Sequence, residues 1–219
     1  GFYNISLGKI SSNNGFSPKL NIMQRNLDCK RELYNWNVDN NCDVCIEDDN
    51  ILDLSSIAKG FAVQEIHLFL QEKGYKNYLI DIGGEIIING NKLSENWVIG
   101  IQNPSKMNES PAYVIKTTGF VALATSGEYR NFNLINDKKV SHTFNPFTMN
   151  SINNETLSVT VADFNSATVA DAQATMLNAM GHEKALRLAD DKEIKALFLV
   201  KSSEGLRVIK SKKWYDSEL

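Results

Sequence analysis

Short apolar segments separated by turn signals recur along most of this chain, and they limit its fold more than anything else in the sequence. Such segments occupy residues 78–82, 85–88, 97–101, 113–116, 120–124, 132–135, 140–144, 157–161, 194–200 and 206–209. Each has the length of a strand. Asn89-Gly90 and Asn136-Asp137-Lys138 are residues that reverse a chain tightly. Residues 85–88 are expected to resume the strand 78–82 after an interruption at Gly83-Gly84, with 97–101 as their partner strand. Residues 132–135 and 140–144 read as one hairpin, and 194–200 with 206–209 as another.

Helical spacing intervenes in few places. Residues 58–72 carry Val63, Ile66, Phe69 and Leu70 as an apolar stripe, and Gly74 suits a C-terminal cap. Thr168 reads as the N-cap of a helix through Met180, with Gly181 after it, and residues 183–189 read as a further helix. Residues 51–54 read as a short buried strand and 1–50 as irregular. Strands paired mostly with their chain neighbours, and few helices between them, make an α+β fold with largely antiparallel β-sheets and packed helices.

The 219 residues suffice for one large domain or two small ones and for a core without staples. The net charge of -3 is well mixed. With no basic tract to neutralise phosphates, a nucleic-acid partner is excluded. No apolar run reaches the ~20 residues of a membrane-spanning helix. The sequence opens at Gly1 without an initiator Met, and Gly1-Phe2-Tyr3-Asn4-Ile5-Ser6 already reads as the inside of a fold. A cut start is therefore expected, compatible with a removed export signal. Of the three cysteines, Cys42 and Cys45 form a C-x-x-C, while Cys29 stands apart. The pair sits in a polar stretch before a strand, not at a helix start, and no second ligand pair follows.

Five segments carry residues with chemistry. Asp53-Leu54-Ser55-Ser56-Ile57-Ala58-Lys59-Gly60 lies at a strand-to-helix junction. Small residues, free helix amides and the Lys59 ammonium suit a phosphate, or else make a capped helix with a surface lysine. In Asp81-Ile82-Gly83-Gly84-Glu85, two glycines inside a strand mark a bulge or the close approach of a ligand. Ala124-Thr125-Ser126-Gly127-Glu128-Tyr129 is a polar turn after an apolar strand. In Ser141-His142-Thr143-Phe144-Asn145-Pro146, His142 is either a general base or a structural histidine. In Asp171-Ala172-Gln173-Ala174-Thr175, the i, i+4 spacing places a carboxylate and a hydroxyl on one helix face. Two hard oxygens suit Mg²⁺; the alternative is an Asp that serves its own helix N-terminus.

Taken in order, the five resemble the ApbE family, the FAD:protein FMN transferases. That family runs D-L-G-G-I-A-K-G, N/D-I-G-G-D/E-I, W-x-V/I-G-I-x-x-P, A-T-S-G-D/E-Y, S-H-I-I-D-P and D-A-L-A-T. Here residues 97–104 read W-V-I-G-I-Q-N-P, and the opening Gly1-Phe2-Tyr3-Asn4-Ile5-Ser6-Leu7-Gly8 is similar to the family's G-A-F-D-I-T-V-G. The match covers nearly the whole chain, so one ApbE-like domain over 1–219 is expected, without the family's N-terminal portion and its M-S-T-Y segment.

The resemblance implies Mg²⁺ held by Asp171, Thr175 and a backbone carbonyl near Ser56. It implies FAD lying against Phe2, Tyr3, Asn4, Asp53 and Lys59, with Gly83, Gly84, His142 and Thr143 nearby. It implies transfer of FMN through a phosphoester to a Thr or Ser of an acceptor flavoprotein, with release of AMP. His142 matches the family histidine assigned to proton transfer; from the residues alone, either His142 or Asp171 could be the base. The alternatives are an FAD pyrophosphatase and a non-catalytic flavin-binding protein. Family analogy also implies a periplasmic or inner-membrane-anchored lipoprotein, with peripheral membrane association through a removed lipid anchor. The chain departs from the family pattern at Asn4, Ser55, Ser56, Phe61, Gln64 and Asn145, and the family carries carboxylates where Asn4, Gln64 and Asn145 stand.

Overall fold

A computed structural model describes residues 8–13, 15–16, 36–38, 44–46, 53–104, 110–127, 132–135, 138–141, 143–144, 150–152 and 154–216. The chain divides into two compact units. One comprises Gly1–Leu54 with Phe132–Ile152, the other Ser55–Asn131 with Asn153–Leu219.

The first unit holds helix α1 (Gly8–Asn13) and an antiparallel pair, β1 (Trp36–Val38) with β2 (Val44–Ile46). The elements of the second unit preceding the next piece of the first are α2 (Ser55–Glu72), β3 (Tyr78–Ile82), β4 (Glu85–Asn89), β5 (Trp97–Ile101), β6 (Tyr113–Thr117) and β7 (Val121–Gly127). The first unit then adds β8 (Phe132–Ile135) and β9 (Lys138–Ser141), an antiparallel pair with Ile135 opposite Lys138. The second strand of that hairpin thus starts and ends earlier than residues 140–144. The second unit closes with β10 (Thr156–Asp163), α3 (Ala167–Met180), α4 (His182–Asp191), β11 (Lys195–Ser202), β12 (Gly205–Lys210) and α5 (Lys212–Tyr215).

The second unit is built on a six-stranded antiparallel sheet in the order β12-β11-β10-β7-β4-β3. On one face, Val63 of α2, Ala167, Ala170, Ala174 and Leu177 of α3 and Ala185 and Ala189 of α4 pack on Ile87, Ala124, Val159, Val161 and Phe198. On the other, the β5–β6 hairpin and Trp214 of α5 cover Ile88, Val121, Leu123, Leu197 and Leu199. The central strands β10 and β11 are buried on both faces; β11 reads as a near-continuous apolar run, while β10 alternates buried Ser158 and Thr160 with Val159 and Val161.

Four sequence expectations shift here. Gly83-Gly84 is a hairpin turn rather than an interruption: β4 folds back on β3 with Ile82 opposite Glu85. Both glycines have positive φ, 64° and 102°, the conformation a tight two-residue reversal needs. Consequently β4 pairs with β3 and β7, and β5 pairs with β6 instead of β4. The N-cap of α3 is Ser166, whose Oγ accepts from Val169 N at 3.3 Å, not Thr168. The buried side of α2 is Ser56, Gly60, Val63 and His67, while Ile66 and Phe69 are exposed. Small and polar side chains face inward there because α3 lies close against α2. Residues 51–52 of the expected short strand lie outside the described residues, and Asp53 and Leu54 are not in a strand.

Candidate functional site

Helices α2 and α3 meet at Gly60. A Cβ on Gly60 would lie 2.4 Å from the Ala167 carbonyl oxygen and 2.6 Å from Asp171 Cβ, so only glycine permits this approach. The Gly60 N–H donates to Asp171 Oδ2 at 2.8 Å. This bond ties the Ser-Ser-Ile-Ala-Lys-Gly turn to the Asp-Ala-Gln-Ala-Thr turn, 111 residues apart in sequence. One turn further along α2, Gln64 Oε1 accepts from Ala167 N at 2.8 Å and satisfies one of the first amides of α3.

The β3–β4 hairpin supplies the third wall. Asp81 Oδ1 accepts from Gly84 N at 2.9 Å and pins the reversal. Glu85, the first residue after it, is 1% exposed and pairs with the Lys59 ammonium. The Lys59 stem also runs beside Gly83, with Cδ 3.7 Å from where a Cβ would stand. Lys59 is only about half-buried, so its charge remains available to a ligand.

Electrostatics single out this cluster. Burial pushes the Glu85 carboxyl up to about 7, against the opposing pull of Lys59, and the negative charge of Asp171 pushes in the same direction as burial. Burial also raises Asp171, with the Gly60 N–H and Lys59 holding it down. Two carboxylates thus lie near one ammonium, a local excess of acidic groups. Among the described residues no three His, Cys, Asp or Glu side chains come together as a metal site. A cation here would need hydroxyl or carbonyl oxygens besides Asp171. Thr175, one turn along α3, and Ser56, one turn before Gly60 on α2, are both buried. A regular helix spends the Gly60 N–H on the Ser56 carbonyl. Its engagement with Asp171 weakens that claim on the Ser56 oxygen.

The expected site residues therefore sort as follows. Ser56, Lys59, Gly83, Gly84, Asp171 and Thr175 lie in the second unit, in the α2, α3 and β3–β4 elements just described. Asp53, ahead of α2, and Thr143 belong to the first unit. There Thr143 O accepts from Ile152 N at 2.9 Å, beside a Phe144–Phe16 ring contact. Phe2, Tyr3, Asn4 and His142 lie outside the described residues, as do Cys29 and Cys42. Sequence reasoning left Glu85 out of the site residues. Its signal was a lone carboxylate heading the run Ile86-Ile87-Ile88, where an unpaired charge would be costly to bury. Gly60 and Gln64 form the helix contact through a close approach and a long-range hydrogen bond, neither of which leaves a local sequence signal.

The model of the ApbE family matches residues 1–198. The chain belongs to the ApbE family. It is 40% identical over 157 residues to the FAD:protein FMN transferase of Vibrio cholerae, a stretch covering 71% of this chain and 46% of that one. It is 32% identical over 155 residues to the protein of the same name from Haemophilus influenzae, covering 70% and 44%. These matches therefore span less than half the length of those relatives. Among solved structures, the flavin transferase ApbE from Vibrio cholerae superposes with a TM-score of 0.80 at 31% identity, over 97% of this chain and 70% of that one. The apo form of the Pseudomonas stutzeri flavinyl transferase ApbE gives 0.82 at 27% identity, over 100% and 69%. The ApbE architecture, antiparallel sheets with packed helices, is the one expected from the apolar segments.

Proposed function

We propose that this chain is the FAD-cleaving part of a Mg²⁺-dependent FMN transferase, which attaches FMN through a phosphoester to a Thr or Ser hydroxyl of an acceptor flavoprotein and releases AMP. The observation that carries the reading is the 2.8 Å bond from Gly60 N to Asp171 Oδ2, because it brings together the Ser56–Gly60 and Asp171–Thr175 segments, the two that a metal-bound pyrophosphate would need side by side. The names of the relatives support the substrate, and the family resemblance supports the acceptor.

The donor set fits the metal. Asp171, Thr175 and the Ser56 carbonyl would offer the hard oxygens that Mg²⁺ prefers, beside the Glu85 carboxyl. When bound, Mg²⁺ would neutralise charge gathering on the pyrophosphate oxygens. The first amides of α2 and the Lys59 ammonium, steadied by Glu85, would hold the same phosphates. The acceptor oxygen attacks the FMN phosphorus, its bond to the bridging oxygen breaks, and AMP leaves with that oxygen. The family resemblance supports His142 as the base that takes the hydroxyl proton, with Asp171 as the other candidate. Phosphoryl transfer requires positioning and charge neutralisation more than covalent help, which is what these residues supply.

By family analogy, the acceptor is a redox flavoprotein at a membrane, and the protein works in the periplasm or anchored at the inner membrane as a lipoprotein. Among the described residues no helix is long and apolar enough to cross a membrane. The test is incubation of the full-length protein with FAD, Mg²⁺ and an acceptor bearing a candidate threonine, followed by mass spectrometry. The expected result is FMN covalently on the acceptor and stoichiometric AMP, both lost in Asp171→Ala. Free FMN and AMP without labelled acceptor would replace the reading with a pyrophosphatase.

A further inference from the structure

Asn178 in α3 is 0% exposed, and neither its side-chain Nδ2 nor its Oδ1 has a hydrogen-bond partner. Its backbone oxygen, by contrast, accepts from Asn154 Nδ2 at 3.3 Å and from Gly181 N at 3.2 Å, so the helix end is well fixed. Several other buried polar side chains of the unit are matched. Ser211 Oγ donates to Ile194 O at 2.7 Å, Thr156 Oγ1 accepts from His182 N at 2.8 Å, and Asp171 accepts from Gly60. Trp97 Nε1 and Ser158 Oγ are also without partners. Trp97 packs in the cluster on the far side of the sheet, and Ser158 alternates with the helix-facing Val159. Among the described residues Asn178 is thus the partnerless side chain on the helix side.

An amide buried without partners costs stability, and a leucine of the same shape would not. Its position offers a reason for keeping it. Asn178 follows Thr175 by three residues and Asp171 by seven, so the three form one stripe along α3. Helical side chains lean toward the N-terminus, which directs Asn178 over Ala174 and Thr175. Mg²⁺ gives up its water reluctantly and keeps several in most protein sites. Groups that hold such waters tune affinity nearly as the direct ligands do.

We propose that Asn178 extends the metal site, its amide holding a water carried by the cation bound at Asp171 and Thr175. The proposal rests on the metal reading given above. It is tested by titrating the metal-free protein with Mn²⁺ alone, followed by electron paramagnetic resonance, in wild type, Asn178→Leu, Asn178→Asp and Asp171→Ala. Melting of each metal-free protein is measured alongside. The expected result is a Kd 10–100-fold weaker in Asn178→Leu, with a metal-free melting temperature no lower than wild type. Asn178→Asp, which keeps an acceptor for the water, should bind as wild type or more tightly. If Asn178→Leu does not fold, Asn178→Ala gives the same Kd comparison. Wild-type Mn²⁺ affinity in Asn178→Leu overturns the proposal, and so does a loss of FAD affinity with Mn²⁺ affinity intact. In either case the metal reading survives as long as Asp171→Ala abolishes binding. If wild type binds no Mn²⁺, or Asp171→Ala binds it as wild type does, both fall together.

Discussion

The amide of Gly60 donates to the carboxylate of Asp171 at 2.8 Å, across a helix crossing too close for any side chain at position 60. Replacing Gly60 with alanine should therefore do two things. The new methyl, meeting the Ala167 carbonyl, should cost about 1–3 kcal/mol through overpacking. It should also part the amide from Asp171 and weaken divalent-metal binding. Denaturant melts and metal titration of Gly60→Ala test both effects.

Glu85 should make the metal-free protein less stable as pH rises. Its folded pKa is about 7 against an ordinary 4.5, so the folded state holds the proton more tightly. The associated stability is fully present below about pH 4.5 and lost as pH rises through about 7. The shift corresponds to about 3 kcal/mol at most, at 1.36 kcal/mol per pH unit. Glu85→Gln, which cannot ionise, should lose this slope in urea melts run in chelator between pH 5 and 8. It should also release Lys59 and weaken binding of ADP, a pyrophosphate probe, to the Mg²⁺-loaded protein.

His67 acts in the opposite sense. It is buried in α2, accepts or donates at Tyr78 Oη across 3.1 Å, and packs edge-on against Phe120 at 4.8 Å between centroids. Burial holds its pKa below the ordinary 6.5. The unfolded chain therefore binds the proton first as pH falls, so stability is complete above about pH 6.5 and is lost below it. His67→Phe should flatten that acid limb while leaving the Glu85 slope in place, as melts across pH 4.5–7 would show.

Gln64 stands where the family carries a carboxylate, and the structure gives it a structural task. Removing its acceptor in Gln64→Ala leaves the Ala167 amide unmatched and should cost about 1 kcal/mol. Gln64→Glu keeps the acceptor and adds a charge favoured at a helix N-terminus, so its stability should return to within about 0.5 kcal/mol of wild type or exceed it. Thermal melts of the two variants distinguish them.

The strands and most of the site segments could be read in the sequence because their signals are local. Thr168 and Ser166 show how narrowly such signals miss. Both hydroxyls suit a cap, but Asp163 Oδ1 accepts from Ser166 N at 2.8 Å and turns the chain two residues earlier. The stripe Val63, Ile66, Phe69 and Leu70 misjudged the buried face of α2. The face against α3 needs a glycine and an amide instead, and this follows from a crossing that no local pattern records. Gly83-Gly84 stands out in the sequence, yet whether such a pair bulges or reverses depends on the partner strand. Glu85 was hidden for a related reason: a buried carboxylate makes sense only once Lys59, 26 residues away in sequence, is known to face it.

The central claim is that one divalent cation sits between the Asp171 helix and the Ser56 turn, gripping the pyrophosphate of FAD. Crystals soaked with Mn²⁺ and FAD, with data collected at the manganese edge, test it most directly. The account predicts a single strong anomalous peak within metal-ligand distance of Asp171, Thr175 and the Ser56 carbonyl, touching a phosphate oxygen. A peak at other side chains, with FAD bound and Asp171 still engaged only by Gly60, would contradict it.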